Sequence, residues 1–229
     1  MKKRIRLQGT LIFLVVLAVI FLYKFLFPHS QKEPIDEFLD IAGMGLVLFG
    51  FLFRISARGH KEEKSLNSQT LVKDGPYAMI RNPMYFGTFL IGTGIVCILF
   101  KLWTLFLFWA VYLLIYIPQI KKETAVLSER FSAEYTTYIA DIPKYFPGIR
   151  RLMNIRKYVF LKLAWIKKEL FSFIMVISAI IIFEAWEDMR QFGRNEFFKE
   201  PLELLLIMLF FLIIMAVFIK RDGTCRKHD

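Results

Sequence analysis

The chain has 229 residues, 56% of them hydrophobic, and carries 31 Lys and Arg against 20 Asp and Glu, a formal net charge of +11. A positive mean hydropathy combined with so many cations argues against a soluble globule. The 2 cysteines, Cys97 in an apolar run and Cys225 in the polar tail, imply neither a disulfide framework nor a cysteine-based metal site.

Apolar runs at 11–27, 38–53, 84–100, 102–117, 171–183 and 202–219 mostly approach the ~20 residues that a bilayer-crossing helix needs. They predict an all-α, polytopic integral membrane protein with about six transmembrane helices, the fifth being the shortest. The first run follows Lys2, Lys3, Arg4 and Arg6 and lacks a small-residue cleavage pattern after Phe27, so it reads as a retained signal anchor with Lys24 snorkelling near its end. In the second run, Gly43, Gly45 and Gly50 would let another helix approach closely. The third and fourth runs are separated by little more than Lys101 and read as a tight hairpin, with Gly87, Gly92 and Gly94 giving the third a smooth face.

Beyond Pro118 the pattern becomes an amphipathic segment, 121–138, in which Val126, Leu127, Phe131 and Tyr135 recur at helical spacing. Pro143 and Pro147 end it. Residues 150–168 mix basic side chains with Leu152, Ile155, Val159, Leu163, Trp165 and Ile166, a composition expected of a helix lying in the interface of an anionic leaflet. Lys and Arg concentrate in alternate segments: before the first run, at 54–82, at 121–169 and after residue 219. The positive-inside bias then puts both termini and the two long basic segments on the cytoplasmic side. The basic excess is explained by topology, and no nucleic-acid partner is required.

One polar block stands out against an apolar run: residues 75–87, with Pro76, Tyr77, Arg81, Asn82, Pro83 and Tyr85 packed closely. Asn82-Pro83 is a good helix start, because Asn can cap free amides and Pro costs nothing at the first helical position. The exposed amides and the positive end of the helix dipole form a seat for a carboxylate or phosphate. Arg81 could add a forked pair of charge-assisted bonds, or serve only as a positive-inside anchor. Tyr77 and Tyr85 offer aromatic faces to a purine, a ribose or a sulfonium, or are interfacial belt residues. Glu123, just beyond the fourth run, could hold an ammonium group or a ribose diol, or simply balance Lys121 and Lys122.

The ordered set Leu71-Val72-Lys73-Asp74-Gly75-Pro76-Tyr77, then Arg81-Asn82-Pro83-Met84-Tyr85-Phe86-Gly87, then Glu123, Leu127, Phe131, Tyr135, Tyr138 and Pro147 resembles the isoprenylcysteine carboxyl methyltransferase family and its phospholipid methyltransferase relatives. The resemblance covers about residues 71–148. It implies a membrane enzyme that takes S-adenosylmethionine between the hairpin's cytoplasmic ends and the following helix, with Tyr77, Arg81, Asn82, Pro83, Tyr85 and Glu123 at the cofactor-binding positions. The chain departs from the family at Asn82, often His, at Lys122, often Glu, and at Ser132, often Gly.

On this reading residues 1–70 form a two-span N-terminal region, 71–149 the methyltransferase-like core, and 150–229 a basic interfacial helix with a two-span extension. The expected function is methyl transfer to a hydrophobic or lipid-linked acceptor such as an isoprenylcysteine carboxylate or a phospholipid. No catalytic base is evident. Two alternatives remain: an NADPH-dependent sterol-type membrane reductase, and a non-catalytic membrane scaffold.

Overall fold

The computed structural model describes residues 34–65, 70–191 and 199–216. Among these, the regular elements are helices: α1 (Pro34–Lys64), α2 (Pro76–Met79), α3 (Pro83–Leu99), α4 (Thr104–Asp141), α5 (Ile149–Met153), α6 (Ile155–Tyr158), α7 (Leu163–Gln191) and α8 (Lys199–Ala216). Three are long and apolar enough to cross a membrane: α1, α4 and the part of α7 up to Trp186. The third expected run is the shorter apolar helix α3, of 17 residues. Among the described residues three helices thus meet the length requirement, which leaves the expected six spans not shown; the first run, expected to be a signal anchor, lies outside the described residues, as does the end of the last run beyond Ala216.

The core is built on α1, whose Val47, Leu52 and Phe53 are completely buried. Glycine decides how α1 and α3 meet. A Cβ on Gly50 would lie 2.6 Å from the carbonyl oxygen of Gly87, and one on Gly94 would lie 2.4 Å from that of Gly43. The two crossings run in opposite chain directions, Gly43 to Gly94 and Gly50 to Gly87, so the helices are antiparallel and backbone meets backbone at both. Small residues permit this close approach where lipid supplies no hydrophobic drive. Phe53 then packs edge-on to Phe86 of α3, ring centroids 5.0 Å apart, and Phe51 edge-on to Phe173 of α7 at 5.2 Å. Gly92 faces the other way, against the ring of Phe108 on α4.

At its C-terminal end α1 is tied to α7 by charge. Glu169, fully buried, accepts from Arg54 at 3.1 Å and from Arg58 at 2.8 Å. A buried carboxylate is tolerable because both guanidiniums converge on it. Lys162 pairs with Glu63 at 2.7 Å, outside this pair.

Two expectations along the chain are corrected. Residues 150–168 do not form one interfacial helix: α5 and α6 are single turns, and 159–162 is extended. The reason is packing, since Val159 and Leu161 are buried against α1 and the amide of Phe160 donates to Ser56 Oγ at 3.2 Å. Pro118 also fails to separate a membrane helix from an amphipathic one; it sits inside α4, and the irregularity falls at Ser132, where φ is 32°. Beyond the kink Tyr135 and Tyr138 are buried, whereas Val126, expected on the packed face, is 60% exposed.

Candidate functional site

The polar block folds as a turn, a short helix and a strap. Gly75 has φ 58°, a left-handed conformation natural to glycine, and a Cβ there would also strike the His60 ring at 2.9 Å. His60, buried at the end of α1 beside Phe160 and Trp165, holds this turn through a 3.0 Å contact from Nε2 to Asp74 Oδ1. Burial opposes the charge on Asp74, but hydrogen bonding and attraction from His60, helped by backbone and Lys64, outweigh it and hold the carboxyl below its ordinary value. Tyr77 follows in α2, and its carbonyl accepts a 2.8 Å bond from the Tyr138 hydroxyl. Burial, then the neighbouring Tyr138 and Glu123, push the Tyr77 hydroxyl far above its ordinary value, so it stays neutral.

Arg81 and Asn82 bind the chain itself. Arg81 Nε donates to the carbonyl of Ile142 at 2.6 Å and Nη2 to that of Ile139 at 2.9 Å, satisfying free carbonyls at the end of α4. Its amide donates to the carbonyl of Pro143 at 3.0 Å. The Asn82 side chain donates to the Lys144 carbonyl at 3.1 Å instead of capping α3, although Pro83 does occupy the first turn as expected. Arg81 and Asn82 therefore pin residues 142–144 against the start of α3.

Tyr85 and Glu123 are brought together. The Tyr85 hydroxyl donates to Glu123 Oε1 at 2.5 Å, and Gln119 Nε2 donates to the same oxygen at 3.0 Å. Tyr112 fixes the tyrosine from below by donating to its carbonyl at 2.6 Å. The Tyr85 ring stands edge-on to Tyr116 at 5.3 Å, and Tyr116 stacks on Tyr112 at 4.3 Å. Phe146, carried in by the pinned strap, packs edge-on against Phe86 and Phe89. The result is a cleft of about 170 Å³ between α3, α4 and the strap, walled by Tyr85, Phe89, Tyr112, Tyr116, Lys144 and Phe146, with Asn82 at its edge. Arg81 does not line it.

Aromatic faces beside a carboxylate form an environment that attracts a cation, above all a soft, weakly hydrated one. Of the residues singled out from the sequence, Asn82 and Tyr85 line the cleft and Glu123 bonds to its wall, while Tyr77 and Arg81 lie behind it. Tyr112, Tyr116 and Gln119 were missed. Their signal was present, because 112, 116, 119 and 123 follow helical spacing along one face of α4 and end on the glutamate. Lys144 and Phe146 carried no such signal, since only the tertiary bonds of Arg81 and Asn82 bring the strap back.

Most of the cleft wall lies in a segment that matches a known family. Residues 39–134 match the phospholipid methyltransferase family model. That family belongs to the isoprenylcysteine carboxyl methyltransferase-like group, so the resemblance carried by the polar block and Glu123 is shown. No curated protein and no solved structure matches the chain. The matched segment starts earlier than the sequence motifs, taking in most of α1, and it ends just after Ser132. The phospholipid methyltransferase segment thus contains both helices of the glycine crossings, α2, and the Tyr85–Glu123 pair. It stops before the strap and before α5–α8. Two of the helices long and apolar enough to span a bilayer, α1 and α4, lie largely within this segment.

Proposed function

We propose that this protein is an S-adenosylmethionine-dependent membrane methyltransferase whose acceptor is hydrophobic or lipid-linked. The observation that carries the reading is the Tyr85–Glu123 bond at the wall of an aromatic cleft, inside the segment matched by the methyltransferase family.

The residues fit such a cofactor by their chemistry. S-adenosylmethionine, when bound, supplies an electrophilic methyl on a sulfonium sulfur. Tyr85, Tyr112 and Tyr116 present aromatic faces to a cation, and Glu123, oriented by Tyr85 and Gln119, adds a negative charge at the rim. The cleft is smaller than the ~300 Å³ at which whole-ligand pockets begin, so it would enclose one end of the cofactor and leave the rest to the surface near Lys144. Arg81 and Asn82 contribute by holding the strap closed, while Tyr77 and Pro83 shape the turn from which α3 starts. Little is asked of the protein beyond alignment and exclusion of water, because the leaving group is already activated. An acceptor carrying an apolar chain would reach the cleft along α4, which exposes Phe106, Leu107 and Leu114.

The test is methyl incorporation. Membranes containing the protein, supplied with S-adenosylmethionine labelled in the methyl group, should transfer label into organic-extractable material. Glu123→Gln should reduce transfer at least tenfold at unchanged protein level, a loss of about 1.4 kcal/mol or more. Label that stays wholly in the aqueous phase in a protein that still binds S-adenosylhomocysteine would remove the hydrophobic acceptor from this reading.

A further inference from the structure

A second cavity, of about 300 Å³, lies between α1, α7 and α8 and shares no wall with the first. It is lined by Phe51 and Ile55 of α1, Leu170 and Phe173 of α7, and Leu212 and Ala216 of α8. Nothing in that lining can bond to a polar ligand. Its border can. Arg54 and Arg58 stand on either side of Ile55 along α1, and Glu169 immediately precedes Leu170 on α7. Arg58 also bonds Glu62 at 3.2 Å, and Lys168 reaches the same carboxylate.

The charges in this border do not cancel. Among the described residues Arg54, Arg58 and Lys168 are paired with Glu62 and Glu169 alone, which leaves one positive charge in excess there. Arg54 turns to Thr88 and Glu169 with its Nε buried, so the half-exposed Arg58 and Lys168 are the cations of this border that a ligand can reach. Lys167, exposed on α7 between the groove residues Ile166 and Leu170, meets no carboxylate among the described residues. An apolar slot with two uncompensated cations at its edge suits an amphiphile with a hydrocarbon chain and an anionic head. A second copy of this chain, at +11, would bring cations to a basic border.

We propose that the groove between α1, α7 and α8 binds an anionic phospholipid, seating an acyl chain against Phe51, Phe173 and Ala216 and its phosphate beside Lys167 and Arg58. The lipid joins the phospholipid methyltransferase segment, which supplies α1, to the extension that supplies α7 and α8. It is a resident lipid in a cavity separate from the aromatic cleft. Lipid binding there is independent of what occupies the aromatic cleft.

The experiment uses the full chain, purified in detergent and stripped of lipid, titrated with phosphatidylglycerol and with phosphatidylcholine of the same chains. Inorganic phosphate is the third arm, and thermal stability is the readout. Each uncompensated cation contributes roughly a factor of five toward an anionic headgroup, so two predict an about 25-fold tighter Kd for phosphatidylglycerol. Lys167→Glu, which removes one cation and offsets the other, should bring the two lipids to nearly equal affinity. Lys167→Gln, the milder variant should the reversal not fold, should leave about a fivefold preference. Ala216→Trp, which fills the slot, should weaken both lipids while preserving their ratio. Equal affinity of the wild type for the two lipids overturns the proposal. So does a preference that ignores Lys167, binding of both lipids undiminished by Ala216→Trp, or stabilisation by inorganic phosphate equal to that by the lipid.

Discussion

Replacing Gly50 by alanine perturbs the contact on which the position of α3 depends. The added Cβ would lie 2.6 Å from the Gly87 carbonyl oxygen, 2.7 Å from Ile91 Cγ1 and 2.9 Å from the Ile91 amide nitrogen. Two of these three atoms are backbone and cannot rotate away, so the helices must part by several tenths of an ångström. Overpacking of this kind costs up to about 3 kcal/mol, and alanine returns up to about 1 kcal/mol through its better helix propensity. The net loss is about 1–2 kcal/mol, or roughly 3–6 °C in Tm for a chain of this size. The parting also stretches the 2.8 Å bond from Arg54 Nη1 to Thr88 Oγ1, which crosses the same seam. Gly92→Ala is the control, because the three atoms nearest its Cβ would be ring carbons of Phe108, a half-buried side chain that can turn. Thermal unfolding of both variants in one detergent decides the matter. Should Gly50→Ala be as stable as wild type, or Gly92→Ala be the worse of the two, the close α1–α3 contact does not constrain the fold.

Ser132→Gly should stabilise the protein by about 1 kcal/mol. Holding a non-glycine residue at φ 32° costs about 1–3 kcal/mol, while glycine gives back about 0.5–1 kcal/mol in the unfolded chain; a lower Tm for the variant would mean the kink is not strained. Arg81→Ala should free the strap, because two charge-assisted bonds of roughly 1.5–3 kcal/mol each are lost. Limited proteolysis should then nick residues 142–148 first, with α1 and α3 still protected, and S-adenosylhomocysteine should bind at least tenfold more weakly. Unchanged cleavage there would show that the strap is held by something other than Arg81.

The elements of this fold that depend on local chemistry are legible in the amino-acid sequence. Pro83 at the head of α3, the smooth glycine faces and the apolar runs follow from rules that act over a few residues. The partner of each glycine is not legible, because Gly50 meets Gly87 only once the antiparallel pairing is known. Arg81 shows the same limit more sharply. Its residue type announces an anion ligand, yet the nearest acceptors are the unpaired carbonyls of Ile139 and Ile142 at the end of α4, far along the chain. The segment 150–168 misleads for a related reason, since its apolar residues at mixed spacing serve an extended stretch of backbone packed on α1 through Ser56. Glu123 stands out because its partner, Tyr85, lies in a motif; Tyr112 and Tyr116 do not, because aromatic residues near a membrane interface have a simpler explanation. Ser132 is the instructive middle case. The family often places glycine there, and the backbone turns out to need what glycine offers.

Whether the aromatic cleft with Glu123 at its rim receives a sulfonium-bearing nucleotide is decided by a thermal-stability titration of the purified protein. The ligands are S-adenosylhomocysteine and, separately, NADPH, each tested on the wild type and on Glu123→Ala. S-adenosylhomocysteine alone should stabilise the wild type, and far more weakly the variant, because only a ligand bound to the folded form raises Tm. Stabilisation by NADPH alone would point to a reductase, and silence toward both ligands to a scaffold; either result contradicts the proposed function.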